Sequence, residues 1–191
     1  MGQSVARRPT VRPRTLAENT RGFAIFSTPC GWMGIAGTNE TVQHLRLGYT
    51  DPDDLRDDLC SSLSDTVETD WFPELRQALE AYAAGESVSF TKFRYELPKL
   101  TDFQQQVLHF VHRIPYGQVL SYGEVAAKVG CPGAARAVGT VMANNRLPLI
   151  IPCHRVIAAG GKLGGYSSPR GPGLKQWLLD LEQAGLANGP R

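Results

Sequence analysis

A thiol, an imidazole and a guanidinium stand side by side at Cys153, His154 and Arg155, inside LIIPCHRVI (residues 149–157). Most isolated cysteines are buried and inert. The apolar residues Leu149, Ile150 and Ile151 ahead of Pro152 fit that reading, as the end of a hydrophobic strand. An apolar strand has no need of His154 and Arg155, however. A nearby cation, or a base that removes the proton, favours thiolate, the nucleophilic form of cysteine. Asn144, Asn145 and Arg146 lie just upstream and carry side chains that can order a turn by hydrogen bonds.

A third chemical group comes from GLKQWLLDLEQAG near the C-terminus. Leu174, Trp177, Leu178 and Leu181 fall at helical spacing, and Glu182 follows Leu178 by one turn, so it flanks the apolar stripe. A carboxylate there needs a partner or must neutralise. His154 is a suitable partner, and a Glu–His pair can take a thiol proton directly or through water. An exposed Glu at the end of a fraying helix fits the same residues.

AARAVGTVMANN (residues 134–145) reads as a helix with two unlike faces. Ala134, Val138, Val141 and Met142 form an apolar stripe. Roughly opposite, Arg136, Gly139, Thr140 and Ala143 repeat at i, i+3, i+4 and i+7. A solvated face ordinarily carries Glu, Lys and Gln. One Arg among very small residues instead lets a backbone approach a partner closely, as the DNA minor groove requires. A second face packed on another helix fits equally well.

The elements that must position these groups are legible in outline. GFAIFSTPCGWMGIAGTNETVQHLRLGYT reads as short strands joined by tight turns. DPDDLRDD opens an acidic helix or loop, and Leu75, Leu79 and Tyr82 mark a helix that stops at Gly85. SVSFTKFRYELPKL reads as one more strand and then a linker. TDFQQQVLHFVHRI is a helix capped by Thr101 or Asp102, with Phe103, Val107, Phe110, Val111 and Ile114 on one face. SYGEVAAKVG is a second helix, capped by Ser121 and ended by Gly130. With the short CPG turn it leads into the helix at 134–145, the spacing of a helix-turn-helix. The expected organisation is an arm over residues 1–20, an α/β domain over 21–97 and a mostly helical domain over 98–191, an α+β chain overall.

At 191 residues, 42% hydrophobic and 20% charged, the chain fits a soluble globular protein without an apolar run long enough to span a bilayer. Arg7, Arg8, Arg12 and Arg14 precede no apolar segment, which argues against a secretory signal. Cys30, Cys60, Cys131 and Cys153 are scattered, with no paired spacing for a disulfide framework or a zinc site, so a reducing, cytoplasmic setting is expected. His109 and His112, at i and i+3, do not make a metal site without carboxylate or Cys partners. The net charge of +2 divides into −3 over residues 1–95 and +5 over 96–191, so a polyanion would favour the second half.

IPCHRV, together with SYGEVA, ARAVG and the closing GGYS…LKQWLLDLE, closely resembles the O6-alkylguanine-DNA alkyltransferase family over residues 101–183. The first half resembles that family's ribonuclease-H-like N-terminal domain only in size and coarse pattern. The resemblance implies that Cys153 accepts an alkyl group from O6-alkylguanine, with O4-methylthymine as a further candidate substrate. His154 and Glu182 would relay the thiol proton through water, and Asn145 would order the turn. Tyr122 would donate a hydrogen bond to a base flipped out of the duplex. Tyr166 and Ser167 would lie in the loop that closes on that base, and the backbone at Cys153 and Val156 would recognise its exocyclic amine. Arg136 would fill the space the base leaves, with Ala135, Gly139 and Thr140 against the minor groove of double-stranded DNA.

The resemblance implies no metal or organic cofactor, no membrane partner, a monomer, and one reaction per molecule, because a thioether is stable. SSPRGPG (residues 167–173) is longer than the family's usual connection, which bears on Ser167 and on the tolerance for bulky alkyl groups. Three other readings compete: a lesion binder of the same fold that does no chemistry, a Cys-His hydrolase of acyl substrates, and a regulator that reads DNA by its helix-turn-helix alone.

Overall fold

The structure is a computed structural model and describes residues 21–63 and 66–187. The expected arm at 1–20 lies outside the described residues. Three strands, β1 (Arg21–Thr28), β2 (Gly31–Thr38) and β3 (Thr41–Tyr49), form an antiparallel meander. The Pro29–Cys30 turn and the Asn39 turn, where φ is +54°, join them as the sequence predicts. Two strands flank the meander in parallel. β4 (Thr66–Glu68) pairs with β1, and β5 (Arg94–Tyr95) pairs with β3, giving the order β4-β1-β2-β3-β5.

Alternation along the meander feeds two apolar layers. Phe23 and Ala36 face α1 (Pro52–Ser62), which buries Leu55 and Leu59 against them. Ala24, Phe26, Met33 and Ile35 point the other way, toward α2 (Pro73–Ala83) with its buried Leu75, Leu79 and Tyr82. That second layer continues without a break into the C-terminal half. The expected strand in SVSFTKFRYELPKL shrinks to Arg94–Tyr95. Phe90 and Phe93 there are buried as anchors for irregular chain rather than as one face of a strand.

The C-terminal half holds α3 (Asp102–His112), α4 (Tyr122–Lys128), α5 (Ala135–Ala143) and α6 (Gly171–Ala187). Thr101 and Gln104 form a capping box on α3, and Ser121 and Glu124 form another on α4. Gly130, at φ +77°, ends α4, and α5 begins after a short turn and packs on both α3 and α4. The sheet and the helices are tied together directly: the Leu45 amide donates to the Arg146 carbonyl at 2.9 Å.

The apolar run before the cysteine is not a strand. The Ile151 amide donates to the Leu147 carbonyl at 2.8 Å and the Ile150 amide to Pro148 at 2.9 Å, so the backbone is spent within a buried turn. Leu149 sits at φ +69° in it. Cys153–Arg155 then form one turn of 3-10 helix, and the strand β7 (Val156–Ile157) comes after the thiol. β7 pairs in parallel with β6 (Leu120–Ser121). This two-residue ladder sets the start of α4, at Tyr122, beside the cysteine turn.

Candidate active site

Asn145 holds the turn that carries the cysteine. Its Nδ2 donates to the Ile151 carbonyl at 2.8 Å, and its Oδ1 accepts from the Leu147 amide at 3.0 Å. The next residues deliver Cys153 to the floor of a pocket of about 750 Å³. Tyr122, Ala135, Arg136, Gly139, Met142, Tyr166 and Ser167 also line it. Two of the residues expected there lie outside the lining. Thr140 is exposed, and its hydroxyl donates to the Arg136 carbonyl one turn back at 3.2 Å. Val156 is buried, and its carbonyl accepts from Lys175 at 2.7 Å, which leaves one lone pair for a ligand.

Burial pushes the Cys153 thiol up, and the Asn145 hydrogen bond and the Lys175 charge oppose that only in part. The resting group is therefore a thiol, and such a thiol becomes a nucleophile only when a base takes its proton. His154 follows it, fully buried. Its Nε2 lies 2.8 Å from Glu182 Oε1. A carboxylate accepts, so Nε2 carries the proton and the Nδ1 lone pair is free. Nδ1 is buried and has no hydrogen-bond partner among the described residues. Burial, followed by the charges of Arg155 and Lys175, pushes the imidazole down against the pull of Glu182. Neutral imidazole with an open acceptor nitrogen is the form a general base requires.

Glu182 does not flank the apolar stripe of α6 but lies at its centre, 1% exposed, while Trp177 and Leu181 are half-buried beside it. Burial alone would raise its carboxyl. The hydrogen bonds from His154 and Arg155 and the Arg155 charge outweigh that and bring it down to about 2. Arg155 Nη2 donates to Oε1 at 2.8 Å, and Arg155 Nη1 donates to the Ile114 carbonyl at 2.6 Å. The Gly117 amide donates to Oε2 at 2.8 Å and the Tyr82 hydroxyl to Oε1 at 2.6 Å. Arg155 thus secures the carboxylate.

Lys175, 1% exposed, is the residue that sequence reasoning missed most completely. Besides Val156 it reaches the Tyr122 hydroxyl and the Gly165 carbonyl, each at 3.4 Å. Burial pushes its ammonium down to about 8. A signal was present: Lys175, Leu178 and Glu182 share one side of α6 at i, i+3 and i+7. For Tyr82 there was none, because a core position says nothing about where a hydroxyl points.

The loop over the pocket is drawn in tightly. Gly164, at φ +72°, approaches the Tyr122 hydroxyl so closely that a Cβ there would lie 2.8 Å from it. Ser167 Oγ donates to the Ala143 carbonyl at 2.7 Å, which ties the loop to the end of α5. The long connection behind it is anchored too, with Arg170 Nη1 donating to the Cys30 carbonyl at 2.9 Å. The Tyr166 hydroxyl is buried beside the Cys153 sulfur without a well-aligned hydrogen bond.

Residues 102–184 match the family described as 6-O-methylguanine DNA methyltransferase, DNA binding domain. A methylated-DNA–protein-cysteine methyltransferase of Methanosarcina acetivorans is 41% identical over 165 residues, covering 84% of this chain and 97% of its own. The protein of the same name from Mycobacterium tuberculosis is 38% identical over 172 residues, covering 85% and 92%. A crystal structure of Mycobacterium tuberculosis OGT in complex with DNA superposes with a TM-score of 0.73 at 36% identity, over 86% of this chain and 94% of that one. The chain belongs to the methylated-DNA–protein-cysteine methyltransferase family.

Proposed function

We propose that this protein repairs O6-alkylguanine in duplex DNA by one irreversible transfer of the alkyl group to Cys153. The carrying observation is a buried thiol on the floor of a pocket, with a neutral His154 held by Glu182 behind it. Family membership and the relatives' names support the same reading.

In this reading Cys153 Sγ attacks the alkyl carbon, the sulfur–carbon bond forms, and the bond from carbon to O6 breaks with its electron pair going to guanine. The thiol proton passes through a water to His154 Nδ1. The departing guanine takes a proton from the Tyr122 hydroxyl, which Lys175 can resupply across 3.4 Å. The product is a thioether, and no side chain of the pocket can reverse it, so each molecule acts once.

Supporting the DNA side, α4 and α5 have the spacing of a helix-turn-helix, and α5 turns Arg136, Thr140 and Ala143 to solvent at the pocket rim. Gly139 lies among them, and no other element among the described residues comes within 4 Å of where its Cβ would stand. A backbone so bare suits the minor groove, with Arg136 taking the place of the extruded base. The five-stranded sheet with α1 and α2 fits a ribonuclease-H-like domain over 21–97, joined to the DNA-binding and transfer domain over 98–191. A protein of this chemistry belongs in the compartment that holds the chromosome.

Intact mass after incubation with excess duplex carrying one O6-methylguanine, followed by peptide mapping, tests the reading. One added methyl on Cys153, never more than one per protein, is the expected result. Unchanged mass with tight lesion binding would leave a lesion binder instead. Turnover of thioesters without methylation would leave a hydrolase. Cys153→Ala is expected to bind the duplex and transfer nothing.

A further inference from the structure

Tyr82 belongs to the first half of the chain, yet its hydroxyl ends inside the site built by the second. It is fully buried on α2, in edge contact with Phe90, Tyr116 and the His154 ring. Its hydroxyl donates to Glu182 Oε1 at 2.6 Å and lies 3.3 Å from His154 Nε2. The same oxygen also faces His154 Nε2 at 2.8 Å and Arg155 Nη2 at 2.8 Å. A carboxylate oxygen offers two lone pairs, so these donors compete for it. The shortest of the bonds belongs to Tyr82. Its hydroxyl is pushed well above the ordinary tyrosine range, by burial first and then by Glu182, so it remains a donor at any working pH.

We propose that Tyr82 is a positioning residue of the proton relay: by sharing Glu182 Oε1 with the imidazole, it limits how strongly the carboxylate draws on His154 and so keeps that base neutral. The proposal rests on the alkyl-transfer reading, and it gives the N-terminal half a part in the chemistry besides support. All charged and titratable groups around the imidazole enter the balance. Glu182 and Lys175 act on it from α6 and Arg155 from its own turn, while Tyr116 and the Gly117 amide act on Glu182 from the connection after α3 and Tyr166 acts on Tyr82 from the loop over the pocket. Among these, Glu182 alone raises the basicity of His154, and Tyr82 is the neutral donor on the oxygen shared with the imidazole, where it tempers that pull without adding a charge, while the Gly117 amide binds the other oxygen. A residue kept only for packing would need the ring and not the hydroxyl.

The test is the single-turnover rate of Cys153 alkylation across pH, with O6-methylguanine duplex and with free O6-benzylguanine, in the wild type and in Tyr82→Phe. Without the competing donor, Glu182 bonds His154 more strongly and its pKa rises. The acid limb then moves up by about 0.5 pH unit, and the rate at the foot of that limb falls roughly threefold, equally for both substrates. 3-Fluorotyrosine in place of Tyr82 keeps the shape, donates more strongly and moves the limb the other way. It also decides the matter if Tyr82→Phe folds poorly. An unmoved limb in both variants, or a loss confined to duplex DNA, overturns the proposal. Absence of alkylation in the wild type would instead overturn the alkyl-transfer reading beneath it.

Discussion

Arg155 holds both carboxylate oxygens of Glu182, its Nε lying 3.1 Å from each. The two side chains, 7% and 1% exposed, form a buried ion pair between the cysteine turn and the last helix. Removing one partner of such a pair leaves an unpaired buried charge and costs about 3–5 kcal/mol. Arg155→Ala is expected to lose that much in urea unfolding. Arg155→Lys keeps the charge without the two-pronged grip and recovers only part of it. The carboxyl of Glu182 is held down to about 2, against about 4.3 in an unfolded chain. Its folded pKa is the depressed one, so its stabilisation is full above about 4.3 and is lost as pH falls toward 2. Wild-type stability should therefore decline through that window, and less steeply in Glu182→Gln. Parallel slopes in the two proteins would contradict this account.

Lys175 is expected to impose an alkaline limit on the reaction. Burial places its ammonium at about 8. Below that pH it can donate toward Tyr122, and above it the proton is gone. Alkyl transfer should fall away above about pH 8 in the wild type. Lys175→Met preserves the length of the side chain without the proton, so it should be slower by on the order of 10²-fold at pH 7 and lack the alkaline limb. Stability gives an independent check. Between about 8 and 10.4 the unfolded chain holds a proton at this lysine that the folded one has released, so stability rises with pH across that window. Lys175→Met removes that rise. A variant that retains the alkaline limb would reassign it to another group.

How far the sequence reached depended on whether each partner was local. Cys153, His154 and Arg155 were visible because three chemical side chains interrupt an apolar run, and the caps at Thr101 and Ser121 because their partners lie three residues on. The strand expected at 149–151 failed because the Asn145 side chain accepts and donates across the turn, and nothing in the apolar pattern records that competition. Glu182 was placed at the rim of its stripe because leucine and tryptophan dominate the count there. The true buried face runs through Lys175 and Glu182, polar residues compensated from elsewhere in the chain. The contacts of Tyr82 with Glu182 span 100 positions, beyond any local pattern.

Arg136 is exposed at the rim of the pocket, and no carboxylate among the described residues pairs with it. Its work lies in the duplex if it replaces an extruded base. Arg136→Ala should leave thermal stability and alkylation by free O6-benzylguanine within about twofold, because a surface substitution usually changes stability by less than 0.5 kcal/mol. Repair of duplex should weaken by about 1–3 kcal/mol, roughly 5- to 150-fold. Equal losses on both substrates would make Arg136 a support for the pocket wall instead.

Gly139 separates the demands of the fold from those of DNA. Glycine inside a helix costs about 1 kcal/mol relative to alanine, and at this position no neighbour among the described residues requires it: none comes within 4 Å of where a Cβ would stand. The protein on its own would gain from Gly139→Ala, and its melting temperature should rise. If this face of α5 meets DNA, the duplex is the partner that would feel the added methyl, because a groove in van der Waals contact with the bare backbone has no room for it. Gly139→Ala should therefore be more stable, alkylate normally with free O6-benzylguanine, and bind and repair duplex more weakly, with larger residues at 139 progressively worse. Duplex repair that is unchanged by both Gly139→Ala and Gly139→Val would mean that this face of α5 does not meet DNA.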